Sequence, residues 1–292
     1  FSGVIGGVDS LETDPFDSLV KPDNAFARRI ARNQQLILAE ESHFAKVIDP
    51  AGGCYYIESL TAQLAELAWS IVQELEKAGG MVRALRAGLI HEMTESVAKA
   101  RMDAVHKRKD VFVGVNMYAN PLDEAFEVSQ IPKVDLSTKP VSLEKGPLPK
   151  RRAVMKVEEL RAAISGKSPK IMLLNMREVS DFKARADFSS GFFQMAGFQV
   201  MSEQSFISPE EAIAAAKAAD VDAYCICSTD ANYVELVAPL CSGLKPATMI
   251  LAGYPTDKIE EYQASGIDIF IHIRANAYET LKDLAMKLEV IR

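Results

Sequence analysis

The stretch SPEEAIAAAKAADVDAYCICS, from Ser208 to Ser228, predicts one helix followed by one strand. Ser208 is a favoured helix N-cap and Pro209 a favoured first helical residue, so the helix is expected to begin here. The apolar run around Tyr224 has the length and composition of a buried strand. Because parallel strands must be joined by crossovers, a helix before a buried strand is typical of a parallel sheet.

The same alternation extends on both sides of this stretch. Four further β-type runs have similar lengths: KIMLLN near Ile171, GFQVMS near Phe198, ATMILAG near Ile250 and DIFIHI near Phe270. A helical segment follows each of the five runs. The pattern predicts an α/β fold in which residues 169–292 form an open, five-stranded, doubly wound parallel sheet of flavodoxin type.

The segment before the sheet, residues 119–168, has a different character. Prolines interrupt it and its apolar residues lose their periodicity, except for a short helix predicted near Val157 to Ser165. A segment of this length without regular structure is uncommon inside a compact domain. We therefore predict a proline-rich linker that lies as an extended strap between two domains.

Residues 1–118 alternate helical patterns with short β-type runs. We predict a strand end before Gly6, a helix over 23–41 capped by Asp23 or Asn24, and a turn with a short β-type run within 49–60. A second helix then ends at Gly79, further helical pattern covers 82–107, and a buried strand is expected over 110–116. These strands are too few for a complete barrel or sheet, so we expect a piece of a larger α/β structure with sequence missing upstream.

Composition restricts the possible partners. The 292 residues carry a formal net charge of -7, which opposes binding to nucleic-acid phosphates or anionic lipids. No apolar run approaches the roughly 20 residues of a membrane-spanning helix, and no secretory signal is visible. We expect a cytoplasmic protein with neither nucleic acid nor membrane as a partner.

The loops after the strands are the first places to look for a ligand site. The segment 175–188 has no glycine, which makes a phosphate-binding loop improbable. Ser228 and Thr229 follow the third predicted strand, where their hydroxyls either bind a ligand or cap the next helix. The histidines occur at no metal-ligand spacing, so no metal site is predicted, and His272 is expected to be a core or rim residue.

The segment GGVDSLET, Gly6 to Thr13, raises a separate question in the first part of the chain. It contains the acids Asp9 and Glu12, which suit general acid/base chemistry by residue type alone. The segment is therefore either an active-site loop or a plain turn.

Three segments together resemble a known family. FARRIARNQQLILAEES, DPAGGCYYIESLTAQLAELAW and VFVGVNMY are similar to the C-terminal part of the acyl-CoA-binding barrel of methylmalonyl-CoA mutases, and residues 49–58 are the most specific of these. The resemblance implies that residues 1–118 are the C-terminal piece of a (β/α)8 barrel and 119–168 its strap. Residues 169–292 then correspond to the cobalamin-binding domain.

The sequence departs from this family at positions that face substrate and cofactor. Where catalytic members have Gln-Ser-Leu-His-Thr, this chain has Asp9 and Glu12 in place of glutamine and histidine. In the cobalamin motif Asp-x-His-x-x-Gly, Phe182 takes the place of the cobalt-ligating histidine, and phenylalanine has no lone pair to donate. By this resemblance the vestigial cobalamin-site positions are Asp181, Phe182, Arg185, Ser228, Ala252 and Gly253.

The resemblance and the departures together imply the small, non-catalytic subunit of a heterodimeric methylmalonyl-CoA mutase. This chain would have no catalytic residues and would bind neither cofactor nor metal. Its partner would be a homologous catalytic large subunit that holds adenosylcobalamin and interconverts methylmalonyl-CoA and succinyl-CoA, an isomerase reaction of propionate metabolism.

Two alternatives remain open from the sequence. The chain is a catalytic mutase with atypical cobalamin binding, in which Asp9 or Glu12 contacts the substrate. Or it is a binding or regulatory module that has lost cobalamin and offers Arg177, Lys183 and Arg185 to an anion, although these cations fit a solvated helix face equally well.

Overall fold

The computed structural model describes residues 1–18, 24–120, 146–149, 151–167 and 169–291. The described residues fall into two compact units, the first containing Phe1–Met93 and the second beginning at Thr94 and containing the sheet. The predicted domain limits at 118 and 168 stay predictions, and most of the predicted strap lies outside the described residues.

The first unit is helical in its described residues. Its elements are α1 (Ser2–Ile5), α2 (Ala25–Glu40), a 3-10 turn (Phe44–Lys46), α3 (Tyr55–Lys77), α4 (Met81–Ala87) and α5 (Leu89–His106), the last of which continues into the second unit. Asn24 caps α2, because its side-chain oxygen accepts hydrogen bonds from the backbone N–H groups of Phe26 and Ala27. The cap predicted at Asn24 is confirmed.

The two short β-type runs predicted before residue 60 are wrong. The apolar run at the start forms α1, and the run around Tyr55 is the first turn of α3. The side chain of Glu58, in the first turn of α3, accepts a hydrogen bond of 3.2 Å from the backbone N–H of Gly53 and so ties the preceding turn to the helix. The β propensity of the residues around Tyr55 is outweighed by the long helical sequence that follows them.

The buried strand predicted over 110–116 is also wrong. The segment forms a loop with one isolated bridge between Val113 and Met117. The fully buried side chain of Asn116 holds this loop, because it accepts from the N–H of Phe112 at 2.8 Å and donates to the carbonyl oxygens of Val105 and Asp110 at 2.9 and 2.8 Å. The described residues up to 118 thus contain no strand, and the barrel assignment stays a prediction.

Helix α3 exposes the apolar face that its sequence predicts. The exposed fractions of five of its large side chains lie between 41% and 63%: Leu60, Leu64, Leu67, Ile71 and Val72. Leu75, at the end of the same face, is buried. The spacing of the face is therefore as predicted, while its cover is largely absent from the part of the chain that the structure describes.

The second unit is built on a six-stranded parallel sheet. Its strands are β1 (Lys170–Met176), β2 (Gln199–Met201), β3 (Ser205–Phe206), β4 (Ala223–Cys227), β5 (Thr248–Ala252) and β6 (Ile269–Ile271). The order is β2-β1-β4-β5-β6, with β3 also paired to β1 on the side of β2. The five predicted strands are present, and β3 was not predicted.

Six helices cover the two faces of this sheet. They are α6 (Met155–Ile164), α7 (Val179–Gln194), α8 (Pro209–Ala218), α9 (Asp230–Leu244), α10 (Ile259–Ser265) and α11 (Ala277–Lys287). Alternate residues of β1 enter the two cores: Ile171 packs with α6, α7 and α11, whereas Met172 packs with α8, α9 and α10. The predicted α/β class with a parallel sheet is confirmed, as is the Ser208 cap of α8, which accepts from the N–H of Glu211.

Candidate functional site

The carboxyl ends of β1, β4 and β5 bring together most of the positions predicted from sequence. Helix α7 follows β1 and carries Asp181 and Arg185, Ser228 follows β4, and Gly253 follows β5. Ligands of parallel sheets bind at this edge, in the crevice beyond the strand ends. The contacts of each side chain show what the crevice contains.

Ser228 is fully buried and its hydrogen bonds are made within the chain. Its hydroxyl donates to the carbonyl oxygen of Met176 at 3.1 Å and accepts from the side-chain amide of Asn232 at 3.0 Å. Its backbone N–H donates to the hydroxyl of Tyr233 at 3.2 Å. The neighbouring Thr229 caps α9 by accepting from the N–H of Asn232. Capping is therefore confirmed for Thr229, and Ser228 joins the end of β1 to α9.

Tyr233 is the centre of this network, and the sequence analysis did not identify it. Its hydroxyl donates to the carbonyl oxygen of Ala252 at 2.6 Å and lies 3.2 Å from that of Ile226, so it joins the ends of β4 and β5. Burial raises the pKa of Tyr233 well above its ordinary value, which keeps the phenol neutral. Its position in the first turn of the helix after a buried strand is the feature of the sequence that could have identified it.

Arg185 extends from α7 across the ends of β4 and β5. Its Nη2 donates to Oδ1 of Asp230 at 2.8 Å, and its guanidinium carbon lies 4.9 Å from the centroid of the Tyr233 ring. Burial alone would lower the pKa of Arg185, but Tyr233 and Asp230 outweigh it and the pKa is raised. The other terminal nitrogen, Nη1, is buried and has no hydrogen-bond partner within the described structure.

Gly253 permits this position of the guanidinium. Its φ is +151°, and a Cβ added there would lie 3.0 Å from Nη1 of Arg185 and 3.5 Å from Oδ1 of Asp230. Its N–H donates to the carbonyl oxygen of Ile271 at 2.9 Å, which fixes the backbone against β6. A residue with a side chain would push the guanidinium away from the strand ends.

Asp181 and Phe182 differ in their relation to this network. The carboxylate of Asp181 accepts a long hydrogen bond of 3.4 Å from the side chain of Asn232, so it lies at the border of the network. Phe182 is 7% exposed and packs into the core beneath α7. Its ring is therefore part of the hydrophobic core.

The three cations considered for anion binding are each paired with an acid. The pairs are Arg177 with Glu235, Lys183 with Asp187, and Arg185 with Asp230. Lys183 and Asp187 are one helical turn apart on α7, a common arrangement of exposed ion pairs. The cations are thus distributed over three separate pairs.

Asp9 and Glu12 lie in the first unit, and both are exposed. Glu12 lines an open pocket of about 380 Å³ together with Arg28 and Arg32 of α2, whereas Asp9 is not among the lining residues. Gln35 anchors this loop through bonds from its side-chain amide to Leu11 and Thr13. Of the two acids, only Glu12 lines this pocket.

No group of three or more histidine, cysteine, aspartate or glutamate side chains among the described residues has the arrangement of a metal site. His272 is half-buried, and its ring is tilted by 35° to that of Tyr254 with the centroids 4.5 Å apart. Burial, and then the nearby Arg274, lower its pKa.

No described helix has both the length and the apolar character required to cross a membrane.

Comparison with known proteins adds a family to this geometry. Residues 1–176 match the family model described as methylmalonyl-CoA mutase. The methylmalonyl-CoA mutase small subunit of Porphyromonas gingivalis is 36% identical over 285 residues, covering 96% of this chain and 46% of that protein. The corresponding small subunit of Streptomyces virginiae is 34% identical over 280 residues, covering 90% of this chain and 43% of that protein. The chain thus spans less than half the length of these relatives.

Two further similarities are more local. The methylmalonyl-CoA mutase of Rhizobium meliloti is 43% identical over 137 residues, which cover 47% of this chain and 19% of that protein. A CheY-like protein (tadZ) from Pseudomonas aeruginosa PAO1 matches 41% of this chain and 92% of its own, with 20% identity and a TM-score of 0.32. A likeness at that TM-score carries no argument about fold or function.

Proposed function

The chain belongs to the methylmalonyl-CoA mutase family, and we propose that it is the small, non-catalytic subunit of a mutase that interconverts methylmalonyl-CoA and succinyl-CoA. The names of its relatives over nearly the whole chain support the assignment to a small subunit. A homologous catalytic large subunit is its partner in a cytoplasmic heterodimer. Adenosylcobalamin, in this proposal, is bound by the large subunit.

The observation that carries this proposal is the position of Phe182. The resemblance aligns it with the histidine that ligates cobalt in catalytic members, yet its ring has no lone pair and packs into the hydrophobic core. The crevice above it contains the paired guanidinium of Arg185. These residues do not fit adenosylcobalamin, so no reaction step is assigned to this chain.

The sheet supports the finer assignment of the second unit. When β2 and β3 are taken as one interrupted strand, the order of the sheet corresponds to the flavodoxin-type order of doubly wound folds. We assign residues 169–292 to a degenerate cobalamin-binding domain and residues 1–118 to the C-terminal part of a barrel domain. Packing within the sheet is intact, and the proposed role of the chain is to stabilise its partner.

Co-expression with the catalytic large subunit tests the proposal. We expect a one-to-one complex on size exclusion that contains adenosylcobalamin and has mutase activity, and an isolated chain that has neither. Equilibrium dialysis of the isolated chain against adenosylcobalamin is the direct measurement. Stoichiometric binding there, or turnover of methylmalonyl-CoA by this chain alone, would contradict the proposal and favour the catalytic alternative.

A further inference from the structure

At the carboxyl end of the sheet, the guanidinium of Arg185 contacts Asp230 and the ring of Tyr233 and lies close to Gly253. We propose that Arg185 is a built-in plug, whose guanidinium fills the space in which a parallel sheet of this type admits a ligand. This inference deepens the proposed function and rests on it only in identifying the crevice as a former cobalamin site.

Three strand ends supply the walls around the guanidinium. Arg185 comes from the helix after β1, Asp230 and Tyr233 from the helix after β4, and Gly253 from the loop after β5. The carboxylate of Asp230 pairs with one edge of the guanidinium, and the ring of Tyr233 faces it within the distance of a cation–π contact. A planar guanidinium uses both kinds of contact together, which an ammonium does less well.

Gly253 lies close beside the guanidinium. A single added carbon at Gly253 would lie 3.0 Å from Nη1 of Arg185, tighter than an ordinary van der Waals contact. The side chain of Arg185 retains 27% of its accessible surface. A ligand placed over the face of the Tyr233 ring that Arg185 covers would therefore have to displace the guanidinium.

The polar groups beneath the plug are already engaged. The hydroxyl of Tyr233 bonds to Ala252, and that of Ser228 bonds to Met176 and Asn232. These bonds join the ends of the three strands to one another, so the two hydroxyls already have partners within the chain. A ligand that bonded to either of these two hydroxyls would have to displace the bonds they already make.

Arg177 is a natural control for Arg185. It lies at the same edge of the sheet and pairs with Glu235 at 3.1 Å. The acids of both pairs are exposed, 76% for Glu235 and 62% for Asp230, and an exposed ion pair contributes little to stability. The two arginines thus share charge, residue type, sheet edge and an exposed acid, and they differ in the contacts of the Arg185 guanidinium with the Tyr233 ring and Gly253.

Chemical rescue in the 292-residue chain tests the plug. We expect Arg185→Ala to lower Tm by about 3 °C or more and to accelerate amide exchange in β4 and β5. Millimolar methylguanidinium, which replaces the lost group, should then slow that exchange in a saturable manner. Methylammonium at the same concentration should not do so, and neither cation should slow exchange in wild type or in Arg177→Ala.

Two results would overturn the plug. One is an Arg185→Ala protein with wild-type exchange in β4 and β5, and the other is an equal response of Arg185→Ala and Arg177→Ala to methylguanidinium. If Arg185→Ala does not fold, Arg185→Lys replaces it, with Arg177→Lys as its control. Faster exchange in Arg185→Lys alone supports the plug, whereas identical exchange in both lysine variants contradicts it.

The rescue experiment contains no cobalamin and no partner subunit. Its failure therefore refutes the plug and leaves the proposed subunit role intact. Conversely, tight binding of adenosylcobalamin by the isolated wild-type chain would refute the proposed function, whatever methylguanidinium does.

Discussion

Helices α3 and α9 both repeat leucine at intervals of three or four residues, and their surroundings differ. Helix α9 buries Leu236, Leu240 and Leu244 against the sheet, whereas Leu64 and Leu67 of α3 are exposed. Among the described residues, the leucine face of α9 is buried in the core beside the sheet, whereas that of α3 is largely uncovered. The comparison shows that periodicity specifies which face of a helix is apolar. What packs against that face depends on the structure around the helix.

The largest expected difference between the helices is the cost of truncating one leucine. Leu240→Ala should lower the free energy of unfolding of the second unit by about 2–5 kcal/mol, because it leaves a cavity in a packed core. Leu64→Ala on α3 should cost less than about 0.5 kcal/mol, since its side chain is already exposed. Amide exchange in β4 reports the first change, and fluorescence of Trp69, the only tryptophan, reports the second. Equal costs would contradict the contrast.

A smaller effect is expected from one hydroxyl at the start of α9. Tyr233→Phe leaves the carbonyl of Ala252 and the N–H of Ser228 without their shared partner and should cost about 1–3 kcal/mol. Tyr254→Phe, at an exposed tyrosine of the same sheet edge, is the control and should be near neutral. Chemical denaturation followed by amide exchange in β5 gives both values. A neutral Tyr233→Phe would mean that the buried network contributes no net stability.

Removal of the α9 cap should cost less again. Thr229→Ala deletes the oxygen that accepts the N–H of Asn232, and we expect a loss of about 1 kcal/mol. Thr256→Ala removes an exposed hydroxyl that bonds only to its neighbour Asp257 and serves as the control. Thermal denaturation of the two variants, compared at equal concentration, measures the difference. Identical melting curves would show that the Thr229 cap does not stabilise α9.

The smallest expected effect is a dependence of stability on pH. Burial lowers the pKa of His106, which stacks on Tyr278 and lies near Glu279, Asp103 and Lys156. The unfolded state, with a pKa near about 6.5, therefore binds more protons than the folded state just below that pH. Stability of the second unit is fully present above this value and falls as the pH falls from about 7.5 to about 5.5.

His106→Phe separates this effect from the titration of other groups. Phenylalanine keeps the stack on Tyr278 and cannot be protonated, so the variant should lose less stability between the same two pH values. The measurement is chemical denaturation of wild type and variant at each pH. An unchanged dependence in the variant would exclude His106 as its source.

Sequence reasoning succeeded where local signals and burial agree. The Ser208 cap and the buried runs of β1, β4 and β5 were predicted because each is specified by its own residues. It failed over 110–116, where the side chain of Asn116 supplies the hydrogen bonds that a neighbouring strand would have supplied. It failed again at Tyr55, where β-favouring residues open a long helix.

The candidate site was predictable in its location and only partly in its content. The loops after the strands and the positions of Arg185 and Gly253 followed from the fold and the family motif. Asp230 and Tyr233, which hold Arg185 in place, were missed because their roles depend on side-chain contacts across three strand ends. One-dimensional spacing carries no information about such contacts.

The interruption between β2 and β3 also affects how this edge of the sheet behaves toward other chains. The side-chain amide of Asn175 donates to the carbonyl oxygens of Ser202 and Gln204, which lie between the two short strands. An unpaired strand edge is a template on which another chain can add its own strand. Those two bonds face β1, on the inner side of the edge, and hold the interruption in place. The outer side is broken after three residues, so a strand from another chain finds only a short template there.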